Sequence, residues 1–162
     1  MKPWLRLMLV TATVGGGFTG FTINLASLFI PQVRTSAYVV VVIIVFALLY
    51  AFVTMSGLWF VQNPRRTVLL RIALGLQIPW CSSPMFGYRF AAGFQASVYF
   101  GTQFGFSLRI GSDWHFDWLD RGALGMGVNL FALISLILLL RAERKRKFSE
   151  TIASVAVSDA KA

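Results

Sequence analysis

Residues 113–118, DWHFDW, hold the side chains best suited to chemistry. They include the chain's only histidine, His115, with Asp113 and Asp117 two positions away on either side. On an extended strand these three side chains point the same way, about 7 Å apart in sequence order. The pattern could offer nitrogen and oxygen ligands to a divalent metal ion. Alternatively, the imidazole and one carboxylate could act as a general acid–base pair.

The rest of the sequence favours neither chemistry. A metal site usually takes ligands from more than one element, and the sequence has no second histidine. The one cysteine, Cys81, rules out an intramolecular disulfide and a cysteine-based cluster, and no G-x-S-x-G motif accompanies the histidine. We therefore predict no catalytic residue, metal ion or cofactor, and we predict that the stretch is a binding surface. Its predicted residues are Asp113, Trp114, His115, Phe116, Asp117 and Trp118.

The residues before this stretch alternate as a strand does. From Val98 to Ile110, apolar and polar side chains alternate, with Tyr99 and Thr102 as exceptions; this is the pattern of a half-buried β-strand. Residues 111–113, GSD, are typical of a turn. We predict a short β-hairpin with one aromatic and one polar face. The alternative is a partly helical, interfacial segment over 86–108.

Long apolar segments must position this loop. The chain of 162 residues is 57% hydrophobic with a mean hydropathy of +0.70, and 13% of it is charged, where a soluble domain usually has about a quarter charged residues. A helix needs about 20 residues to cross the hydrocarbon core of a bilayer. Four segments approach or exceed that length: 4–30, 37–61, 67–88 and 122–140.

We therefore predict an all-α membrane protein with four transmembrane helices in a single domain, 1–148, and a disordered cytoplasmic tail, 149–162. An outer loop, 89–121, joins the third and fourth helices and contains the predicted hairpin. The third segment is the weakest, because Pro79 and Pro84 bracket a small polar cluster. It is either a kinked helix or a broken, re-entrant element that continues through GYRFAAGFQAS.

The net charge of +9 is distributed as expected for topology determinants. Basic residues lie at the ends of the apolar segments, which is typical of contacts with phospholipids and unlike the continuous basic face of a nucleic-acid-binding protein. Of the 15 Lys and Arg residues, only Arg34, Arg89, Arg109 and Arg121 lie on the side opposite the termini. The positive-inside rule then predicts a multi-pass inner (plasma) membrane protein with both termini in the cytoplasm.

Small residues four positions apart occur in the first and fourth predicted helices, each with an asparagine nearby. Such steps let two helices approach closely. We predict that these two helices pack together and that both asparagines face the bundle; the same steps would also suit a partner subunit. The predicted packing residues are Gly16, Gly20, Asn24, Ala123, Gly127 and Asn129.

The predicted spans lack the groups that coupled transporters need. No Asp, Glu or His lies in the middle of any of them, and proton- or cation-coupled transport usually requires such a group. We predict a non-enzymatic protein that lies in the lipid bilayer and acts by contacts with another membrane protein or with itself, as an accessory, assembly, regulatory or immunity-type subunit. The alternative is an oligomeric small transporter or channel. Nucleic acid is not an expected partner.

Overall fold

A computed structural model of the chain describes residues 2–101, 104–118 and 124–159, and it has a mixed α/β fold. The prediction of an all-α protein with four transmembrane helices is wrong, because a six-stranded antiparallel sheet occupies most of 79–129. Within the described ranges, two helices are long and apolar enough to cross a membrane, Pro3–Ser27 and Ala37–Gln62.

The helices precede and follow the sheet. The first is continuous over Pro3–Ser27 and has a π-helical turn in its middle. The last begins directly at the end of a strand and continues through Asp159, so 149–159, where we predicted disorder, is helical, and 160–162 lie outside the described ranges. The bounds are α1 Pro3–Val10, the π-helical turn Thr11–Gly15, α2 Gly16–Ser27, α3 Pro31–Arg34, α4 Ala37–Gln62, α5 Val68–Leu76 and α6 Leu130–Asp159.

The third and fourth predicted helices each change to a strand part of the way along. α5 ends at Leu76, shortly before Pro79, whose ring removes an N–H group and disfavours the helical conformation in the preceding residue. The chain continues as β1, Pro79–Ser82. The fourth predicted helix changes in the opposite direction, from strand to helix. Here β6 spans Gly125–Asn129 and leads directly into α6. The glycines of β6 are weak helix formers, so the strand conformation prevails there.

The other four strands form one long antiparallel ribbon. β3 pairs with β4 and β2 with β5, and the register continues unbroken from Ala91↔Asp113 to Phe94↔Ile110. The predicted hairpin with a turn at 111–113 is therefore wrong: β4 and β5 do not pair with each other, and β4 pairs with β3 as far as Phe100↔Phe104. The bounds are β2 Phe86–Ala91, β3 Phe94–Phe100, β4 Phe104–Ile110 and β5 Asp113–Trp118.

The ribbon is bent back on itself around β1 and β6. The strand order is β4-β3-β6-β1-β2-β5, so two strands separate β2 from β3, although only Ala92 and Gly93 connect them. Three strand spacings amount to about 14 Å, whereas three residues reach at most about 11 Å, so the sheet must curve. Gly93 and Gly111 face each other at the bend with φ of 82° and 124°, values that favour glycine, and Gly111 N–H donates to Gly93 O at 2.7 Å.

This bend, the Gly93–Gly111 corner, packs on the N-terminal helix next to the π-helical turn. A Cβ atom at Gly16 would overlap the backbone of Gly93, and one at Gly93 would lie 2.7 Å from the carbonyl oxygen of Ala12. The hydroxyl of Ser112 donates to the carbonyl oxygen of Gly16. Backbone-to-backbone contact of this kind requires glycine on the helix side.

Two apolar cores hold the helices and the sheet together. In the first, Phe46 and Tyr50 of α4 pack against Phe90 of β2, and the ring of Phe46 stacks on Trp114 at a centroid distance of 4.5 Å. The second lies among the N-terminal helix, α4, α5 and α6. Its buried members are Leu5, Leu9, Phe60, Leu70, Leu74 and Leu139.

We predict that Gly16→Ala lowers the free energy of unfolding by about 1–3 kcal/mol, because the added Cβ overpacks a contact between two backbones. Gly15→Ala is the matched control, since no atom lies within 4 Å of a Cβ built there and alanine favours a helix over glycine. Thermal unfolding of the purified protein in a mild detergent measures both variants. Equal melting temperatures would contradict the contact between the corner and the helix.

Candidate functional site

The curved sheet has one apolar and one polar face. Side chains of cross-strand partners lie on the same face, and the register places most rings and aliphatic chains on one side, although Trp80 and Tyr99 lie on the other. On β2 and β5 this apolar face packs against α4. On β4 it is open: Leu108 is 70% and Ile110 81% exposed.

The polar face is the concave one. Gln95 is 4% and Asn129 3% exposed, and Ser97 is buried with them, while the side chains on the opposite face of β4 are open. The curve therefore encloses Gln95, Ser97 and Asn129 and turns the apolar groups of β4 outward, whereas the side chain of Arg109 at the end of β4 is 53% exposed. We define the polar recess by its six residues, Arg89, Gln95, Ser97, Arg109, Asp113 and Asn129.

At the end of the recess next to the corner, two arginines share one carboxylate. Asp113 Oδ2 accepts from Arg89 Nη2 and from Arg109 Nη1, both at 2.9 Å. Arg89 lies on β2 next to β5, whereas Arg109 reaches the same carboxylate from the end of β4 across the corner. The cluster consists of two positive groups and one negative group, so it has an excess of positive charge.

Asn129 connects the recess to the start of α6. Its Oδ1 accepts from the backbone N–H groups of Phe131 and Ala132 at 3.2 and 3.4 Å, as a helix N-cap does, and also from Ala96 N–H at 3.3 Å. Because the oxygen is occupied by these three donors, the amide group has a fixed orientation, with Nδ2 as the free end.

Three buried polar atoms in the recess have no hydrogen-bond partner among the described residues. They are Arg89 Nε, Gln95 Oε1 and Asn129 Nδ2. Gln95 uses its other amide atom, Nε2, to donate to Ser97 Oγ at 2.9 Å. Most buried polar groups in proteins have a partner, so two donors and one acceptor are left for something that enters the recess.

The predicted binding stretch 113–118 is divided between the two faces. The predicted alternation is confirmed: Asp113, His115 and Asp117 share the polar face, and the aromatic residues share the other. Asp113 belongs to the recess, whereas His115 Nε2 contacts Asp117 Oδ2 nearer the open end. Within the described ranges no three His, Cys, Asp or Glu side chains come together as metal ligands.

The aromatic members of that stretch mostly support the fold. Trp114 and Phe116 pack against Phe46 of α4, at centroid distances of 4.5 and 6.2 Å, so neither presents a free surface. Trp118 is 61% exposed at the end of β5. Of the six residues we predicted to bind, Trp118 is the aromatic one that remains open.

The predicted helix-packing residues have several different neighbours. Gly16 contacts the corner, a Cβ at Gly20 would overlap the ring of Tyr50 in α4, and buried Asn24 donates from Nδ2 to Gly20 O at 2.8 Å. Gly127 lies in β6, a strand, and Asn129 ends it as the N-cap of α6. Ala123 lies outside the described residues.

Sequence reasoning missed most of the recess. Arg109 and Ser107 were on the polar side of the predicted alternation, but Arg89 and Gln95 were treated as part of a loop. Period-two alternation is weak in β2, where Gly87 and Ala91 interrupt the polar positions. The recess depends on pairing between strands far apart in the chain, and local periodicity carries no information about it.

No family model, curated protein or solved structure matches the chain. The chemistry of the site must therefore be argued from its own residues.

We predict that Asn129→Ala lowers the free energy of unfolding by about 1 kcal/mol, the usual loss when a helix N-cap is removed. Asn129→Ser should restore most of that loss, because a serine hydroxyl can also accept from the first N–H groups of α6. Chemical or thermal unfolding in detergent measures the difference. If the two variants are equally unstable, the capping role is wrong.

Proposed function

We propose that this is a non-enzymatic, multi-pass membrane protein that acts by binding another membrane protein, or a second copy of itself, along the β4 edge of its sheet. The observation that carries the proposal is the character of β4, which is an edge strand. Its outward side chains are all apolar and exposed: Phe104, Phe106, Leu108 and Ile110.

The two faces of the sheet are reversed relative to those of a water-soluble protein. An antiparallel sheet in water buries its apolar face and exposes its polar face. Here Gln95, Ser97 and Asn129 are buried and the apolar side chains of β4 point outward. A hydrocarbon environment accounts for this reversal, since it stabilises the exposed rings and aliphatic chains.

Contacts with the two long helices suggest the depth of the sheet. Gly16 lies near the middle of Pro3–Ser27 and Tyr50 near the middle of Ala37–Gln62, a helix of 26 residues that is about 39 Å long. The corner contacts Gly16, and Tyr50 donates to the backbone of Ala91 beside the corner. With both helices spanning a bilayer, the corner lies near its centre and the sheet in its outer half.

A partner is needed because a sheet edge is costly in lipid. Each unpaired backbone N–H or C=O group in hydrocarbon costs several kcal/mol, so open edges do not face lipid in membrane proteins. β4 and β5 are the two edge strands, and β4 also has the apolar side chains that a neighbouring chain could pack against. A strand or a close-fitting helix from another chain would pair with the open backbone groups of β4 and would pack against its apolar side chains.

The basic residues favour the orientation predicted from the sequence. Arg146 donates to Pro64 O at 3.3 Å, and Arg6 donates to Val61 O at 2.9 Å. These contacts bring the N-terminus, the loop after α4 and the basic segment of α6 to one end of the molecule. By the positive-inside rule that end is cytoplasmic, with both termini on the same side.

A photo-crosslinking amino acid at Phe106 should form an adduct of discrete mass with a protein, because this side chain would lie at the proposed interface. The matched control is Leu48, which is exposed near the middle of α4 and should give only lipid adducts. Irradiation of native membranes, followed by mass spectrometry of the adducts, distinguishes a second copy from a different chain. Lipid adducts alone at Phe106, or protein adducts of equal yield at both positions, would refute the proposal.

Labelling of single cysteines tests the orientation. In a Cys81→Ser background, a cysteine at exposed Met85 should react with a membrane-impermeant maleimide on intact cells. A cysteine at exposed Phe148 should react only after the membrane is opened. We expect this difference because the two positions lie at opposite ends of the molecule. The reverse pattern of labelling would require the opposite orientation.

A channel formed by one copy is less well supported. The polar recess ends at the corner, and beyond it the apolar core that contains Leu9, Leu74 and Leu139 fills the space among four helices. A polar path through one copy would have to cross that core. The transporter or channel alternative therefore requires a path between copies, for which flux into liposomes containing only this protein is the assay.

A further inference from the structure

We propose that the polar recess binds a phosphate group, with Arg89, Arg109 and Asn129 donating hydrogen bonds to its oxygens. This site lies on the polar face of the sheet, whereas the proposed partner surface is the edge and the apolar face of β4. The proposal rests on the charge of the recess, on its unpaired buried atoms and on the position of the start of α6.

The charge of the recess favours an anion. Arg89 and Arg109 are both bonded to the single carboxylate of Asp113, and each guanidinium has five N–H donors. One carboxylate cannot occupy the donors of two guanidinium groups. The nearest further pair, His115 and Asp117, contact each other, so Asp117 does not neutralise the arginines by direct contact.

The unpaired atoms show where the ligand would lie. Arg89 Nε and Asn129 Nδ2 are buried donors without a partner among the described residues. The side chain of Asn129 is buried, with 3% exposure. Its amide group has one orientation, because Oδ1 accepts from three backbone N–H groups and Nδ2 could not take its place. Since Asn129 pairs with Ser97 in the sheet, its side chain leaves the sheet on the polar face and is directed into the recess.

The start of α6 adds to the attraction. This helix begins at Leu130, directly after Asn129, and the N-terminus of a long helix has a partial positive charge that favours anions. Two arginines, an amide N–H group and a helix N-terminus therefore border the same polar face, on three strands and a helix.

A phosphate group fits these donors better than a carboxylate. Its three or more oxygens can accept from several directions at once, whereas a carboxylate offers two oxygens in one plane, which suit a single guanidinium. Gln95 Oε1 is a buried acceptor without a partner in the described chain, and it would accept from a hydroxyl on or beside the phosphate. The source is either the headgroup of a lipid in the outer leaflet or a soluble phosphate.

Asp113 would then act as an internal competitor of the ligand. Its carboxylate holds both arginines, and a bound phosphate would take over some of their donors. Removal of this negative charge should therefore strengthen binding. A structural role alone predicts the opposite, because the loss of Asp113 would leave two arginines without a counter-ion.

The test uses the purified full-length chain in a neutral detergent at constant ionic strength. Binding is measured by titration calorimetry and native mass spectrometry with three probes: inorganic phosphate, short-chain phosphatidic acid and short-chain diacylglycerol.

Arg89→Gln should weaken binding of the phosphate-bearing probe about tenfold or more, the usual effect of losing a charge-assisted hydrogen bond. Asn129→Ser, which retains the helix cap, should weaken it by a smaller factor, and Asp113→Asn should strengthen it. Arg34→Gln is the control, since Arg34 is exposed in α3, outside the sheet.

The probes separate the two sources of the phosphate. Binding of both inorganic phosphate and phosphatidic acid indicates a soluble ligand or a general phosphate site, and binding of phosphatidic acid alone indicates a lipid headgroup; either result supports the proposal. Three results would overturn it: no saturable binding of any probe, equal affinity for diacylglycerol and phosphatidic acid, or equal losses in Arg89→Gln and Arg34→Gln. Tighter binding by Asp113→Asn could not arise from misfolding, so it protects the test against variants that merely unfold.

Discussion

The contact between the Gly93–Gly111 corner and the N-terminal helix is the constraint on which the other features depend. Two glycines with positive φ let a long ribbon bend back on itself, and Gly16 lets the bend rest directly on the helix backbone. Without the bend, β2 and β3 could not both flank β1 and β6. The sheet would then be flat, and its polar face would not be enclosed.

The corner also determines which charges meet. Arg109 and Asp113 are four positions apart in sequence, on the two sides of Gly111, and they would lie far apart along a straight ribbon. The bend brings these two together, and the pairing of β2 with β5 places Arg89 beside Asp113. A steric feature of the backbone, two residues without a Cβ atom, thus creates the electrostatic feature of the recess.

The helix-to-strand changes are stable because side chains replace the backbone partners that a continuous helix would have supplied. At the end of α5, Gln77 Nε2 donates to Ala73 O at 2.9 Å, and Tyr88 donates to Leu76 O at 2.8 Å. Asn129 does the same for the first turn of α6. Unpaired backbone groups are costly in an apolar environment, which explains why each change has a polar side chain that is buried or partly buried.

Local patterns in the sequence predicted the parts of this structure that depend on neighbours along the chain. The uncharged run that forms α4 was predicted to be a helix, and it is one that is long and apolar enough to cross a membrane. Alternation also placed the side chains of 104–110 and 113–118 on their correct faces. The segments 67–88 and 122–140 were misassigned because their apolar character is continuous across the change from helix to strand. Hydropathy measures whether a segment is apolar, and not whether its backbone bonds are made within the segment or with another strand. Pro79 and the glycines of β6 indicated that the helices are interrupted there. The strands that supply hydrogen-bond partners to the interrupted backbone lie elsewhere in the chain.

The recess and the exposed edge place opposite demands on the same sheet. A polar interior is tolerated within an apolar environment only where its groups bond one another or a ligand, and the two arginines with Asp113 meet that condition in part. An apolar exterior is stable in lipid, but the unpaired backbone groups of the β4 edge are not.

The curvature of the sheet encloses the polar face. It does not pair the edges, because the two edge strands, β4 and β5, do not bond to each other. A sheet that closed fully would need no partner at its edge, and it would also seal the opening between β4 and β5 through which a ligand could reach the recess. The unpaired edges of β4 and β5 are therefore consistent with the ligand site proposed in the recess.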